Sequence, residues 1–156
     1  YPAVYQNFIN DMFQALVEAK EHLNKYAKLI LIFPGFKEPL GMVDGFLQFC
    51  HQFSFQQEVL PDFDNCMIQK GDVYIIPNDR HLVKVIEQAK KQEFKLGVEY
   101  GIISYNDTPL KKVVENGITT ISTDFKIMGK TLAEMLLHSK KEQIKNPSDL
   151  IIRHSL

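Results

Sequence analysis

Residues 100–124 of the chain read YGIISYNDTPLKKVVENGITTISTD. The apolar run 100–104 predicts a strand, Tyr105-Asn106-Asp107 forms a polar elbow, 109–115 has the composition of a short helix, and a second strand ends at Asp124. A helical crossover returns the chain to the same end of a sheet, so the two strands are predicted to be parallel. The elbow then lies at the carboxyl edge, where open parallel sheets bind their ligands.

Two further apolar runs have the same character. Residues 29–33 and 72–77 are continuous and apolar, as in strands that are buried on both faces, and turn residues follow each of them. Because such strands alternate with helical patterns, the sequence predicts an α/β fold with a parallel sheet covered by helices on both faces. The other predicted elements are helices at 6–26, 39–54, 78–89 and 124–138, a weak strand at 55–59, a final strand at 150–153, and a connection at 61–71 with room for one helical turn.

Hydrophobic spacing also predicts which helix faces are buried. In the helix that starts at Asn78, the inward set is Leu82, Val83, Ile86 and Ala89. In the helix that Asp124 is predicted to cap, the inward set is Ile127, Met128, Leu132, Met135 and Leu136. Both helices are therefore predicted to cover a core.

The composition is that of one globular domain without a nucleic-acid surface. The chain has 156 residues, of which 45% are hydrophobic, and its formal charge is -1 with lysines spread along the helices. No apolar run reaches the roughly 18 residues that cross a bilayer. The two cysteines fit neither a metal-ligand spacing nor a disulfide framework, which favours a reducing, cytoplasmic setting. Since the sequence opens on Tyr-Pro without an initiator Met, we expect a fragment of a longer protein.

Three loops follow parallel strands and share one sheet edge in this prediction. Carboxylates and amides in these loops supply the hydrogen-bonding groups that a polyhydroxylated ligand needs, and an aromatic ring can cover its C–H surface. The same residue types are also common helix N-caps and turn formers, and Tyr105 could equally be a rim aromatic with its hydroxyl in water. The sequence leaves sugar binding and capping open. The loops carry Phe36 and Lys37, then Asn78 and Asp79, then Tyr105, Asn106 and Asp107.

Other constellations point less clearly to chemistry. Asp79, Asp107 and Asp124 together could hold Mg²⁺, although each also begins or precedes a helix and no lysine is tied to them by a recognisable spacing. The five histidines lie apart on mostly polar helix faces and are predicted to be solvated. There is no glycine-rich phosphate loop, nucleophile elbow or readable Cys-His pairing, so neither an enzyme nor a bound cofactor is predicted.

Several ordered motifs carry a family resemblance. The runs 101–107 and 117–125 with Gly129, the IIPND that ends at Asp79, and the closing LIIR at 150–153 resemble the carboxyl-terminal half of the effector-binding domain of lactose-repressor and galactose-repressor type regulators. The resemblance covers nearly the whole chain. It is closest to regulators that join such a sensor to a winged-helix DNA-binding domain of the GntR type. It implies the type I fold of periplasmic binding proteins, with two α/β subdomains, a ligand cleft between them and three crossing strands.

The resemblance implies how this chain fits that architecture. Residues 1–156 are expected to be an effector-binding domain fragment, mainly the second subdomain, with crossings at 4–8 and 119–124 and with 150–156 returning to its sheet. Residues 124–145 are expected to pack on the first subdomain, most of which is absent here, as is the DNA-binding domain.

The resemblance also implies effector contacts. The family often has an Arg three residues before the glycine matched by Gly45, whereas this chain has Met42, and Lys37 is the cation that could replace it. The expected ligand-binding residues are Asn78 or Asp79, Asn106 or Asp107, Thr123, Tyr5 near the first crossing, and Tyr105 and Lys37 beside them.

The implied function is the sensing of a small molecule, with a sugar or sugar derivative as the expected class. The effector would bind between the subdomains, favour one closure angle and change the spacing of DNA-binding modules in a homodimer. DNA would be contacted only through the module missing from this chain, and no membrane partner is expected. Two alternatives stay open: a solute-binding protein of a transport system with the same fold, and an Mg²⁺-dependent enzyme on a related sheet.

Overall fold

The computed structural model describes residues 1–64 and 66–156. Strands and helices alternate along most of the chain, and two single 3₁₀ turns, Leu110–Lys112 and Val114–Asn116, follow the strand Gly101–Tyr105. The elements in chain order are β1 (Ala3–Tyr5), α1 (Phe8–Leu23), β2 (Lys28–Ile32), α2 (Gly41–Gln52), β3 (Gln56–Leu60), β4 (Asp72–Ile76), α3 (Asp79–Lys91), β5 (Gly101–Tyr105), β6 (Thr119–Thr123), α4 (Phe125–Leu137), β7 (Gln143–Lys145) and β8 (Ser148–Ile151).

The main sheet has six strands in the order β3-β2-β4-β5-β6-β8. The first five strands are parallel, and β8 is antiparallel to β6. All five residues of β4 and of β5 are buried, which is why these strands read as continuous apolar runs rather than as alternating ones. The predicted α/β fold with a parallel sheet is confirmed.

Helices cover both faces of this sheet. Side chains that alternate along β2 enter two separate cores, Leu29 and Leu31 on one face and Ile30 and Ile32 on the other. The first core is closed by α1 and α2, and the second by α3. Each fully buried large aliphatic side chain in such a core stabilises the fold by about 1.5–3 kcal/mol relative to exposure.

One glycine sets the distance between α1 and α2. A Cβ atom at Gly45 would lie 2.3 Å from the carbonyl oxygen of Ile9 and 3.0 Å from the Cβ of Met12. Only a residue without a side chain fits there. The backbones of the two helices therefore approach each other closely at this point, and Met42, one turn earlier on α2, is buried in the same core.

The inward set predicted for the last long helix, α4, is wrong for most of its members. Met135 is buried, but Ile127, Leu132 and Leu136 are exposed, and Leu137 is 80% exposed. α4 is followed by β7, which pairs in parallel with β1 to form a separate two-stranded sheet. The helix lies against β1 and away from the six-stranded sheet, so the main core does not cover its apolar face.

Three smaller expectations also differ from the structure. The helix predicted at 109–115 is replaced by the two 3₁₀ turns, because Glu115 has a φ of 49° that an α-helix cannot contain. On α3 the inner position belongs to Val85, and Val83 is exposed. In the connection 61–71 the described residues form no helix, and Asn65 lies outside the described residues.

The remaining boundaries agree with the predictions within a few residues at either end. The weak strand predicted at 55–59 is β3, at the edge of the main sheet, and the final strand is β8. Within the described residues, every helix is either too short or too polar to cross a membrane.

Candidate functional site

Polar side chains follow β2, β4 and β5 at the point where each strand ends. Because these strands are parallel and adjacent, their carboxyl ends form one continuous edge of the sheet. The loop after β2 carries Phe36 and Lys37, both exposed, and the loop after β4 leads directly into α3. This edge is the candidate site, as the sequence predicted.

A cavity of about 390 Å³ opens at one end of this edge. It brings Lys37 and Asn78 together, two of the residues predicted to bind a ligand. Three Lys or Arg side chains and three carboxylates line it, so it carries no strong excess of either charge. The cavity is lined by Pro34, Phe36, Lys37, Glu38, Pro61, Asp62, Asp64, Asn78, Arg80, His81 and Lys84.

Asn78 already uses its side chain within the protein. Its Oδ1 accepts a hydrogen bond from the backbone N–H of Arg80 at 2.9 Å and so caps the N-terminus of α3. Burial acts to raise the pKa of Glu38, but backbone N–H groups in this loop and the Asn78 side chain together lower it. The capping interpretation of Asn78 is therefore confirmed.

His81 departs from the prediction that all five histidines are solvated. It lies in the first turn of α3 and is buried, and its Nδ1 has no hydrogen-bond partner among the described residues. Burial lowers the pKa of this imidazole, and Lys84 and Arg80 nearby lower it further. The side chain is thus part of the wall of the cavity.

Asp79 is joined to a lysine that sequence reasoning missed. The Nζ of Lys111 lies 2.9 Å from Oδ1 of Asp79. The Lys111 side chain is only 5% exposed, whereas that of Asp79 is 66% exposed. Lys111 also donates hydrogen bonds to the carbonyl oxygens of Tyr105 at 2.9 Å and Asn106 at 2.7 Å. One buried ammonium group therefore connects the loop after β4 with the loop after β5.

Asp107 is held by a second cation. Arg153, just beyond β8, places Nη1 2.7 Å from Oδ1 and Nη2 2.8 Å from Oδ2 of this carboxylate, in a bidentate pair with both side chains 15% exposed. The hydrogen bonds from Arg153 lower the pKa of Asp107 although burial opposes the shift. The backbone N–H of Asp107 donates to Oγ of Ser122 at 3.1 Å. The carboxylate is committed to the fold.

Asn106 lies between Tyr105 and Asp107 and is the exposed member of the elbow. Its φ of 63° lies in the left-handed region, which Asn tolerates better than most residues, and its backbone N–H donates to the carbonyl of Ile121 at 2.7 Å. Within the described part of the chain its side chain makes no hydrogen bond. Its amide group is therefore available to a ligand.

Tyr105 is not part of the exposed elbow. It is the last residue of β5 and is buried in the core beside α1, where its ring lies 6.5 Å from that of Phe8. Its hydroxyl is buried and lacks a partner among the described residues, and burial raises its pKa. Since parallel-sheet strands bury both faces, the residue at the strand end points into the core. A rim aromatic with its hydroxyl in water is excluded.

Thr123 and Tyr5 lie at the side of the edge nearest β1. Thr123 is buried, and its Oγ1 donates to Oε1 of Gln6 at 3.1 Å. Tyr5 is exposed at the end of β1, where it pairs with Lys145 of β7. Gln6 was not among the predicted residues, and a contact between residues 117 positions apart leaves no local signal in the sequence.

The Mg²⁺ alternative fails on the contacts of its three carboxylates. Asp79 pairs with Lys111 and Asp107 with Arg153, and Oδ1 of Asp124 accepts the backbone N–H of Ile127 at 2.9 Å as the N-cap of α4. Among the described residues no group of three His, Cys, Asp or Glu side chains is placed to hold a metal ion. Two of the three carboxylates are thus paired with cations, and the third caps a helix.

Comparison with known proteins identifies a family. The sequence model of the periplasmic binding protein-like domain matches residues 55–156. No curated protein has a significantly similar sequence.

Solved structures share the fold at low sequence identity. A periplasmic binding protein/LacI transcriptional regulator from Alkaliphilus metalliredigens complexed with D-xylulofuranose has a TM-score of 0.73 at 18% identity, covering 97% of this chain and 64% of its own. A LacI family transcriptional regulator from Enterococcus faecalis with bound ribose has a TM-score of 0.75 at 19% identity, covering 99% and 62%. A sugar-binding transcriptional regulator of the LacI family from Escherichia coli complexed with phosphate has a TM-score of 0.76 at 11% identity, covering 98% and 62%. The present chain thus spans a little under two thirds of the length of these structures.

Proposed function

Because the chain belongs to the periplasmic binding protein-like domain family, we propose that it is the effector-sensing part of a transcription regulator and that its effector is a sugar. The observation that most supports this proposal is the family match over residues 55–156, which include the ends of β4 and β5 at the polar edge described above. Solved neighbours of the same fold are regulators with sugars bound. The ligand is bound and released without chemical change.

The charges along the edge favour a neutral sugar as the effector. The two carboxylates nearest the elbow are each neutralised by a cation of the fold, Asp79 by Lys111 and Asp107 by Arg153. Lys84 forms a further ion pair with Asp64 in the cavity wall. An effector with a net charge would find no concentrated opposite charge here, whereas hydroxyl groups can use neutral amides such as that of Asn106. Asn106, the free oxygen of Asp79, Lys37 and Tyr5 are the proposed contacts.

A second subdomain is proposed to form the opposite wall of the site. α4 exposes Phe125, Ile127, Leu132, Leu136 and Leu137, and such a group of exposed apolar side chains on one helix is typical of an interface. β1 and β7 form a ribbon of three residues per strand, which is too small to be stable unless it continues into another structure. Both features lie together, and we assign residues 124–145 to contact with that subdomain.

Effector binding is proposed to act by closure. Binding between the two subdomains would favour one closure angle and so change the spacing of DNA-binding modules in a homodimer. A winged-helix module of the GntR type elsewhere in the protein is the proposed contact to DNA, and the site of action is then the cytoplasm.

The proposal is tested by calorimetric titration of the full-length protein with D-ribose, D-xylulose, cellobiose and ribose 5-phosphate. The structure offers a matched pair of variants, since Asn106 and Asn116 are both exposed and both have a φ of 63°. Asn106→Gly removes the amide but keeps the backbone conformation, and Asn116→Gly does the same away from the edge. We expect saturable binding of a neutral sugar that weakens about tenfold in Asn106→Gly and is unchanged in Asn116→Gly.

Two results would contradict the proposal. A folded full-length protein that binds none of these sugars would remove the assignment of a sugar effector. Binding of ribose 5-phosphate in preference to ribose would contradict the argument from charge and leave the sensor assignment standing.

A further inference from the structure

Lys111 is the most deeply buried charged side chain at the candidate site. Lysine is rarely buried without a charged or polar partner for each of its donors. Here the ammonium group has three N–H donors and three acceptors within hydrogen-bond distance: the carbonyls of Tyr105 and Asn106 and Oδ1 of Asp79. The ammonium group therefore makes two hydrogen bonds and one ion pair inside the protein.

The three acceptors belong to two different loops. Tyr105 and Asn106 end β5, whereas Asp79 is the first residue of α3 after β4. Lys111 itself lies in the first 3₁₀ turn, and its backbone carbonyl accepts the N–H of Ile118 at 2.8 Å, directly before β6. A single residue thus connects three segments at the carboxyl edge of the sheet.

The contacts with the elbow bear on its backbone conformation. Asn106 adopts the left-handed region, which costs a non-glycine residue about 1 kcal/mol unless its surroundings hold it there. Lys111 donates hydrogen bonds to the carbonyl oxygens of Tyr105 and Asn106, which flank the N–Cα bond of Asn106. The neighbouring carboxylate of Asp107 is fixed by Arg153. The elbow is held by two cations, and only its exposed amide is left free.

The contact with Asp79 has a second consequence. Asp79 is mostly exposed, yet one of its oxygens is fixed by a buried partner. An exposed carboxylate normally samples several rotamers, and a ligand must then order it. With Oδ1 fixed on Lys111, Oδ2 is preoriented toward solvent at the same edge as Asn106.

We propose that Lys111 is a positioning residue of the effector site, whose buried ammonium group joins the two loops into one rigid unit and fixes Asn106 and Asp79 for the ligand. This inference rests on the proposed function, because it assigns Lys111 a role in sugar binding. Lys111 itself does not touch the sugar. Its neighbour Lys112 is exposed and supplies a matched control with the same charge.

The test compares Lys111→Met, Lys112→Met and Asp79→Asn in the full-length protein. The first measurement is the hydrogen-exchange rate of the backbone N–H of Asn106 by NMR. The second is the Kd of whichever of D-ribose, D-xylulose and cellobiose binds most tightly. We expect Lys111→Met to raise both the exchange rate and the Kd about tenfold, as the loss of one hydrogen bond to the ligand would. Lys112→Met should leave both within twofold of the wild type.

Asp79→Asn and the double variant separate positioning from general stability. Asp79→Asn keeps both carbonyl contacts of Lys111, so we expect a raised Kd with normal exchange at Asn106. If Lys111 acts through Asp79, the two substitutions are not independent. The rise in Kd of the double variant, Lys111→Met with Asp79→Asn, should then be clearly smaller than the product of the rises in the two single variants. Because Asp79 is exposed, its variant also keeps the test open if Lys111→Met does not fold.

The outcomes distinguish this inference from the proposed function. Faster exchange with an unchanged Kd would make Lys111 a structural clamp only and overturn the positioning role. Unchanged exchange in a folded Lys111→Met protein would overturn the clamp itself. If the wild type binds none of the three sugars, the proposed function fails, and the exchange rates alone then decide whether Lys111 holds the elbow.

Discussion

Replacing Arg153 by methionine should be among the most destabilising single changes at the edge of the sheet. The substitution keeps most of the side-chain volume but removes a guanidinium group that donates twice to Asp107, at 2.7 and 2.8 Å, and once to the carbonyl of Ile118, at 2.9 Å. The Asp107 carboxylate then keeps its charge in a place where only 15% of its side chain is exposed.

The size of the effect follows from that burial. Exposed ion pairs contribute about 0–1 kcal/mol, whereas removal of one partner from a buried pair costs about 3–5 kcal/mol. The Asp107–Arg153 pair is bidentate and mostly buried, so we expect Arg153→Met to lower the free energy of unfolding by about 2–4 kcal/mol. For a chain of this size the corresponding fall in Tm is roughly 5–15 °C.

The assay is urea unfolding at pH 7 of the wild type, Arg153→Met, Asp107→Asn and the double variant. We expect a coupling free energy of about 1.5–3 kcal/mol, because in each single variant the remaining charged partner has lost its counterion. Arg80→Met is the matched control, since Arg80 is an exposed arginine of the same edge. It should change the free energy of unfolding by less than about 0.5 kcal/mol.

The same pair predicts how stability depends on pH. Arg153 lowers the pKa of Asp107 in the folded protein below the value of about 3.9 that it has in the unfolded chain. The stabilisation is therefore fully present above about pH 4 and is lost as the pH falls through the lowered folded value. The difference in free energy of unfolding between wild type and Arg153→Met should shrink between pH 5 and pH 2. A coupling free energy under 0.5 kcal/mol at pH 7, or a difference that does not shrink in acid, would refute this reasoning.

Two further predictions use other parts of the fold. Gly45→Ala should destabilise the protein by about 1–3 kcal/mol in urea unfolding, because the new Cβ would meet the carbonyl of Ile9. Gly129→Ala on α4, where nothing lies within 4 Å, should instead stabilise it by about 0.5–1 kcal/mol. Equal effects of the two substitutions would contradict the close approach of α1 and α2. The 156-residue chain should self-associate at high concentration through the exposed face of α4, and Leu136→Lys with Leu137→Lys should abolish this in sedimentation velocity; a wild-type chain that stays monomeric would contradict it.

The sheet could be predicted because its strands have a strong local signal. β2, β4 and β5 are runs of apolar residues bounded by Pro, Gly or Asn, and burial on both faces is what such a run means. The common edge then follows from the rule that parallel strands need crossover connections, whereas the order of the strands was not predicted. The polar edge was correctly located on this basis alone.

The apolar face of α4 could not be assigned from its spacing. A helical period shows that one face is apolar but not what covers it, and the predicted inward set treated the present chain as the cover. Only Met135 is buried here, so Leu132 and Leu136 need a partner outside the described chain or remain exposed. The resemblance to effector-binding domains predicts a partner for this face, the other subdomain, whereas the helical period predicts none.

The ion pairs at the site were missed because their partners are distant in sequence. Asp107 and Arg153 are 46 positions apart, and nothing in the local sequence around either residue indicates the other. Lys111 and Lys112 are adjacent and chemically identical, yet one is buried and the other exposed. The 3₁₀ turn decides which of the two faces the sheet edge, and that turn was predicted as an α-helix.

These contacts separate the residues that build the site from those that can bind. Asn and Asp at a strand end can cap a helix, pair with a cation or contact a ligand, and composition cannot distinguish the three roles. Counting hydrogen bonds can. Oδ1 of Asn78 caps α3, and the carboxylate of Asp107 is engaged by Arg153, whereas the side-chain amide of Asn106 has no partner in the described chain. The sequence placed all three in one class, and only Asn106 keeps a complete set of free hydrogen-bonding groups, so it is the residue on which recognition of a sugar hydroxyl should depend most strongly.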